Sequence, residues 1–364
     1  MIKPARALAV LALIVLSAGA CRNILSSSSS SGAANILDVY AASPTAADAT
    51  KLLGGGEWWT SAPTFAQRPL DAATMTSAIR FQVIRRYANV GTAETWRVVY
   101  TQFDGSTSAT TVMTNIQTNA GNGVSGPSAG DKALYYGQQL TPVQGTAQGG
   151  APFETFTVVR LGAIVIESTW DRKDGFPKVA QLGTIAQKLV SRLRDATNGK
   201  VRATPISANE LATLPPLNGA MTLLGAVKLP VEAVPLMVNA PAPTEVRQLF
   251  TGLGVTEFVF GDYVLDEDTH MEVQTAVFNF SSATDATSMF DLFRGTVAPD
   301  SNGLAISYNS ATGPGQYDIV FVSGTRMGLM ICRSTAEDSN EAASRACEAP
   351  IEAVSAAWRV TLNG

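Results

Sequence analysis

The chain has 364 residues, of which 46% are hydrophobic and 15% charged, and its formal net charge is −4. This length is typical of two domains that each bury a core of ordinary size. The acidic balance argues against a nucleic-acid partner, and the single histidine leaves no group of imidazoles for a zinc site.

Residues 1–20 have the pattern of a secretory signal peptide. Lys3 and Arg6 make the start positive, an apolar run of about ten residues follows at 7–16, and small residues lead to Cys21. The apolar run is much shorter than the ~20 residues that a helix needs to cross a bilayer. The sequence therefore predicts export.

Cys21 ends this signal in a pattern that resembles the lipobox of bacterial lipoproteins, in which the cysteine is diacylated and becomes the mature N-terminus. The resemblance implies a lipid attached to Cys21 and membrane contact through that lipid. An ordinary cleavage after Ala20 is the alternative, and it leaves a free thiol. Residues 21–50 include a run of six serines at 26–31 and are predicted to form a flexible tether.

Cys332 and Cys347 are the two cysteines that remain. An oxidising compartment favours one disulfide between them, which ties a late strand to the helix after it. Two separate buried thiols are the alternative.

The charges are unevenly distributed along the chain. Residues 51–203 contain 16 Lys and Arg against 10 Asp and Glu, a balance of +6, whereas residues 204–364 contain 7 against 18, a balance of −11. Two interpretations stay open: the basic half lies near an anionic lipid surface or acidic partner, or the two halves attract each other.

A first module is predicted at 51–203 from its hydrophobic periodicity. Its expected elements are strands at 79–83 and 95–103, a helix at 106–119, a strand at 133–136, a hairpin centred on 161–162 and a helix at 177–194. A linker is predicted at 204–243, because its seven prolines forbid a long helix.

A second module at 244–364 is predicted to repeat this order. After a short helix at 245–253, its expected elements are strands at 257–265 and 271–280, a helix at 282–294, strands at 303–308, 317–322 and 328–332, and a closing helix at 341–360 that Pro350 interrupts or kinks. The first helix of both modules has apolar residues at i, i+3, i+4 and i+7: Ala109, Val112, Met113 and Ile116 in one, and Ala286, Met289, Phe290 and Phe293 in the other.

The sequence thus predicts an α+β fold of two tandem antiparallel-sheet modules, each β-β-α-β-β-β-α with its helices on one face, related by pseudo-symmetry. Following the signal and tether, this order resembles the duplicated domains of uncharacterised bacterial lipoproteins. It is also similar in outline to extracellular sensor domains of actinobacteria. Residues 249–261 and 271–293 carry the resemblance, which implies a family without an assigned activity.

Two groups of residues are candidates for contact with a partner: a tryptophan pair in a loop, and arginines of the first hairpin. Adjacent tryptophans anchor partners or pack back over a sheet. The arginines form a local anion patch or discourage edge aggregation. The patch contains Arg80, Arg85, Arg86 and Arg97, and the predicted partner contacts are Trp58, Trp59, Arg85 and Arg86.

No catalytic, cofactor or metal residue is predicted. His270 is expected in a solvated turn, and the carboxylates from Asp262 to Asp268 in a charged hairpin tip. The sequence favours a non-enzymatic, lipid-anchored protein of the bacterial cell envelope, on its periplasmic or cell-surface side. It is expected to serve as a binding, sensor or accessory assembly module for a protein or small ligand. A hydrolase of envelope material, with carboxylate or serine groups expected in a cleft between the modules, and a carrier of an apolar ligand are the alternatives.

Overall fold

The computed structural model describes residues 34, 36–66, 79–92, 94–121, 123–139, 153–202, 206–216, 221–237, 243–265, 271–309, 316–334, 342, 345 and 347–362. The predicted signal peptide, Cys21 and His270 lie outside these residues. The chain divides into two compact units. We call 27–203 module 1 and 204–364 module 2.

Module 1 contains two N-terminal helices, a sheet of long strands and two further helices. Its elements are α1 (Ile36–Ala42), α2 (Ala46–Leu53), β1 (Trp58–Thr60), β2 (Thr64–Ala66), β3 (Ile79–Asn89), β4 (Thr95–Phe103), α3 (Ser106–Ala120), β5 (Lys132–Gln139), β6 (Phe153–Leu161), β7 (Ile164–Arg172) and α4 (Val179–Thr197).

Module 2 repeats the long strands and the two helices that follow them. Its elements are α5 (Ala208–Leu211), β8 (Met221–Pro230), a 3-10 turn (Val231–Ala233), α6 (Val234–Met237), α7 (Pro243–Gly252), β9 (Val255–Leu265), β10 (Met271–Phe280), α8 (Ala283–Arg294), β11 (Ala305–Asn309), β12 (Gln316–Ser323), β13 (Arg326–Ser334) and α9 (Glu348–Leu362).

The two sheets have the same strand order. The first runs β1-β3-β4-β7-β6-β5, with β2 also paired to β3, and the second runs β8-β9-β10-β13-β12-β11. The strand pairs in both sheets are antiparallel. The α+β class and the two similar antiparallel modules are therefore confirmed.

Local irregularities also coincide between the modules. The pairing of β3 with β4 skips Arg80, and the pairing of β9 with β10 skips Thr256, which is one β-bulge at the same place in each sheet. The hairpins β6–β7 and β12–β13 turn at Gly162 and Gly324, each with a φ of 58°. Since neither feature follows from strand order, their coincidence supports duplication of one module.

In module 1 the two long helices pack on opposite faces of the sheet. Phe103 of β4 belongs to the core cluster of α3, together with Val158 and Val165. Tyr100 points to the opposite face, because side chains alternate along a strand. There its hydroxyl donates to the carbonyl of Ala42 (3.2 Å), to which Arg192 of α4 also donates (3.0 Å).

Module 2 has the same arrangement. The ring of Phe278 in β10 lies 6.0 Å from that of Phe293 in α8. Its neighbour Val277 points to the other face and belongs to the core cluster of α9, with Val354 and Trp358.

The expectation that both helices share one face is therefore wrong. The apolar stripe of a helix shows which side of the helix is buried, but not which face of the sheet receives it. The signal for two covered faces lies in the strands: β4 is buried on both sides from Val98 to Phe103, without the alternation of a half-exposed strand.

Two predicted boundaries are also corrected. Part of the range assigned to the tether forms α1 and α2, and α1 packs against α4. Thr45 begins α2 with a capping box to Asp48. Within the predicted linker, β8 pairs with β9 along its length. Pro230 is compatible with this strand because β8 is at the edge of its sheet and Pro230 is its last residue.

Helix α9 begins at Glu348, and Ala342 and Arg345 within the predicted range are also helical. Pro350 is the third residue of α9, where backbone N–H groups have no intrahelical partner, so it does not break or kink the helix. Cys347 precedes this helix and pairs as a disulfide with Cys332 of β13, with a Cα–Cα distance of 5.8 Å. Both cysteines are buried.

Candidate functional site on the first sheet

The four predicted contact residues divide between the two faces of the first sheet. Trp58 pairs with Asn89 and Trp59 with Ala88. By strand alternation, Trp58 and Arg85 point to the face that carries α4, whereas Trp59 and Arg86 point to the face that carries α3. The structure does not bring the four side chains together. Trp58 and Arg85, on the α4 face, both make hydrogen bonds within module 1.

Trp58 is only 2% exposed, and its indole N–H donates to the carbonyl of Gly54 over 2.7 Å. Arg85 donates through Nε to the hydroxyl of Thr60 (2.8 Å) and to the carbonyl of Ser61 (3.1 Å). Burial lowers the pKa of this guanidinium. These contacts fasten β1 and the residues after it to β3.

Arg86 and Arg97 occupy the other face, and we call them the arginine pair. They lie directly opposite each other on β3 and β4. Arg97 is exposed and Arg86 is half-buried. The Nη1 atom of Arg86 is buried, and no group in the described parts of the chain accepts a hydrogen bond from it.

The arginine pair is electrostatically unfavourable by itself. Like charges directly opposite on adjacent antiparallel strands are destabilising. Burial, and then the charge on Arg97, lower the pKa of Arg86 to about 10. Because this value is still well above neutral pH, the Arg86 guanidinium stays charged.

Two carboxyl groups lie on the same face beside the arginine pair. Glu167 of β7 is half-buried, and burial raises its pKa although Arg97 offsets part of the effect. Asp171 accepts a hydrogen bond from the hydroxyl of Thr95 over 2.7 Å. Burial raises the pKa of Asp171 and the charge on Glu154 adds to that rise, whereas the Thr95 hydrogen bond and the charge on Arg97 oppose it.

Neither carboxyl group forms an ion pair with the arginines within the described residues. Elsewhere in module 1, Arg192 binds Asp48 at 2.9 Å and Arg172 approaches Glu94 at 3.7 Å. The arginine pair differs from these arginines because no carboxylate among the described residues accepts from its donors.

Module 2 shows what the same register contains without the arginines. The positions of Arg86 and Arg97 correspond to Asp262 and Gln274, which are directly opposite on β9 and β10. Asp262 is fully buried inside its strand. The expectation that it belongs to a charged hairpin tip is therefore wrong.

A surface recess of about 400 Å³ lies in module 2. Its lining is mostly apolar, and Leu211 within it is 42% exposed. The recess is formed by Ala208, Leu211, Ala212, Leu214, Pro215, Pro216, Tyr263 and Thr361.

Among the described residues, no group of three or more His, Cys, Asp or Glu side chains is arranged to hold a metal ion. No helix in those residues is long and apolar enough to cross a bilayer.

The chain matches no family model and no curated protein. Among solved structures, it has a weak likeness to the extracellular domain of PknH from Mycobacterium tuberculosis. The two are 11% identical, and the alignment covers 43% of this chain and 94% of that one with a TM-score of 0.30. At this level of similarity the likeness supports no argument about function.

Sequence reasoning included Arg97 in a basic patch but not among the partner contacts. It missed Glu167 and Asp171 altogether. The alternation of Glu167, Thr169 and Asp171 along one strand is the signal that could have found them, since residues two apart share a face.

Proposed function

We propose that this chain is an exported, lipid-anchored, non-enzymatic binding module of the bacterial cell envelope, and that it binds its partner or ligand through the α3 face of module 1. The observation that carries this proposal is the arginine pair: Arg97 is exposed beside Arg86, and neither guanidinium is neutralised by a carboxylate among the described residues.

The proposed anchor keeps module 1 close to the membrane. About 15 residues separate Cys21 from the start of α1, and a fully extended chain of that length spans roughly 50 Å. Arg192 of α4 binds the end of α1 through the carbonyls of Ala41, Ala42 and Ser43, so the anchored segment joins module 1 firmly. The net charge of +6 on residues 51–203 favours an acidic partner or surface there.

The anchor is tested by mass spectrometry of the mature N-terminus and by membrane fractionation. We expect a diacylated N-terminal Cys21 in the wild type, and release of a Cys21→Ser variant from the membrane fraction. A mature N-terminus without an acyl group would refute the anchor.

The binding face is tested by cross-linking the full chain in intact envelopes and by native mass spectrometry of the purified protein. We expect a partner or ligand with the wild type that is lost with Arg97→Ala. Arg202→Ala removes the same charge from another exposed position of module 1 and is the matched control. Equal loss with both variants, or none with Arg97→Ala, would contradict this face.

A carrier of an apolar ligand is the second candidate, and the apolar recess of module 2 favours it. Native mass spectrometry would then show a bound lipid that Leu211→Asp removes. The hydrolase alternative is tested on ester, glycoside and peptide substrates, with turnover that disappears in Glu167→Gln as its required result.

A further inference from the structure

We propose that the arginine pair is an oxyanion site, in which Arg86 and Arg97 together hold one phosphate group. This inference rests on the proposed function because it names the chemical class that the same face would bind. The phosphate can belong to a soluble molecule or to a lipid headgroup, and the experiment below separates these two sources.

The strand register supplies the geometry. Arg86 and Arg97 are directly opposite on adjacent antiparallel strands, which places their Cβ atoms about 5 Å apart and both side chains on one face. A guanidinium presents N–H donors in a planar fork that matches phosphate oxygens in pairs. Two guanidinium groups on directly opposite residues can therefore bind the same anion.

The available donors point to the same conclusion. Arg86 Nη1 is buried without a hydrogen-bond partner in the described parts of the chain, and buried polar groups are nearly always paired. An oxyanion between the two guanidinium groups would accept from this atom and would also remove the repulsion between the two charges.

The neighbouring carboxyl groups do not compete strongly for this role. Glu167 and Asp171 lie on the same face, and burial shifts both pKa values upward, toward the neutral acid. Among the described residues, neither carboxyl group forms an ion pair with Arg86 or Arg97.

Module 2 argues against a purely structural role for the arginines. The same strand pair, with the same bulge, is built there with Asp262 and Gln274 in their places. The scaffold therefore does not require two arginines at this position, and an acidic residue at one of them would repel an anion.

The test uses the full mature chain with Cys21→Ser, so that no lipid anchor contributes to membrane binding. Isothermal titration with inorganic phosphate at constant ionic strength forms the first arm. Co-sedimentation with phosphatidylcholine vesicles, with and without phosphatidylglycerol, forms the second. Saturable binding of free phosphate identifies a soluble phosphate ligand, and binding only to vesicles with phosphatidylglycerol identifies a headgroup.

The variants are Arg97→Gln, which copies module 2, Arg97→Lys, and the control Arg202→Ala. We expect Arg97→Gln to weaken binding about ten- to a hundredfold, because a charge-assisted contact is lost. Arg97→Lys should retain part of the affinity, since it keeps the charge without the fork. Arg202→Ala should bind like the wild type. Because Arg97 is exposed, these variants are expected to fold, and circular dichroism verifies this.

Absence of binding in both arms, or equal binding by Arg97→Gln and the wild type, overturns the inference. The proposed function fails by different results. If an envelope partner depends on Arg97 while phosphate and vesicles do not bind, the binding module stands and the oxyanion site falls. If phosphate binds while the mature N-terminus carries no lipid and no partner is captured, the site stands and the proposed function falls.

Discussion

Module 1 and module 2 share a scaffold and differ in what they place on it. Strand order, the bulge in the first hairpin and the glycine turn of the last hairpin coincide. Among the equivalent positions that differ, Arg86 and Arg97 correspond to Asp262 and Gln274, Glu167 to Leu329, and Trp170 to Cys332. These side chains are therefore not needed to form the sheet, and each reflects a requirement of its own module.

The N-terminal helices of module 1 should give the largest effect. Arg192 of α4 donates to the carbonyls at the end of α1 and binds Asp48 at 2.9 Å, with only 14% of its side chain exposed. Removing one partner of a buried ion pair costs about 3–5 kcal/mol. We expect Arg192→Ala to lower the free energy of unfolding by that amount, measured by urea denaturation.

Hydrogen exchange shows where this stability is lost. Amides of α1 and α2 should lose protection in Arg192→Ala while those of module 2 remain unchanged. Lys188→Ala is the matched control, because Lys188 reaches the same Asp48 at 3.5 Å but is 42% exposed, and exposed pairs contribute about 0–1 kcal/mol. If both variants lose the same stability, Arg192 does not hold the N-terminal segment.

The disulfide should give the next largest effect, and only in module 2. Cys332 and Cys347 are 15 positions apart, and a disulfide that closes a loop of this size contributes about 3 kcal/mol. We expect a Cys332→Ala, Cys347→Ala double variant to lose protection against hydrogen exchange in β13 and α9. Both cysteines lie in module 2, and module 1 has Trp170 at the position of Cys332. The amides of module 1 should therefore be unaffected.

The thiol state gives an independent measurement. In the oxidised protein neither cysteine should react with an alkylating agent until a reductant is added. Two alkylated cysteines in unreduced, denatured protein would establish separate thiols instead.

The bounds of several strands could be predicted from the sequence, whereas strand β8 and the sheet face that receives each helix could not. The bounds of β4 and β10 are as predicted, because long apolar runs bounded by turns determine them locally. β8 was missed because its apolar residues stand among prolines and glycine, and its pairing with β9 is a tertiary effect. The face that receives each helix was missed for the same reason.

The candidate site could be predicted only in part. The sequence shows the arginines, but the opposition of Arg86 and Arg97 depends on strand register, which the bulge at Arg80 shifts by one residue. The burial of Arg86 beside the exposed Arg97, and the raised pKa values of the neighbouring carboxyl groups, follow only from the three-dimensional fold.

Alanine substitution of the two hairpin glycines should destabilise both modules equally, because the two turns have the same conformation. Gly162 and Gly324 both have a φ of 58°, and a Cβ at either position would contact nothing within 4 Å. Backbone strain is then the main cost, and each alanine substitution should destabilise its own module by about 1 kcal/mol. Gly252→Ala is the control, because it has similar space without a positive φ and should be neutral or slightly stabilising. Unequal losses at the two turns would weaken the case for duplication.

The smallest effect concerns Glu167, which Leu329 replaces in module 2. Burial raises the folded-state pKa of Glu167 above its ordinary value of 4.5, so the folded protein binds the proton more tightly than the unfolded chain. This contribution to stability is present below pH 4.5 and is lost as the pH rises through the folded pKa. Relative to its effect at pH 4, Glu167→Gln should therefore raise the free energy of unfolding at pH 7. The increase should be less than about 1 kcal/mol, because the carboxyl group is partly solvated.

Asp48→Asn is a control of opposite sign in the same module. Burial alone would raise the pKa of Asp48, but the hydrogen bonds from Thr45 and the charge on Arg192 lower it below 3.8. Its contribution is present above pH 3.8 and is lost as the pH falls through the folded pKa, so Asp48→Asn should cost stability at pH 7. If Glu167→Gln also costs stability at pH 7, Glu167 neutralises Arg97 in the folded protein, and the arginine pair has only the charge of Arg86 left with which to hold an anion.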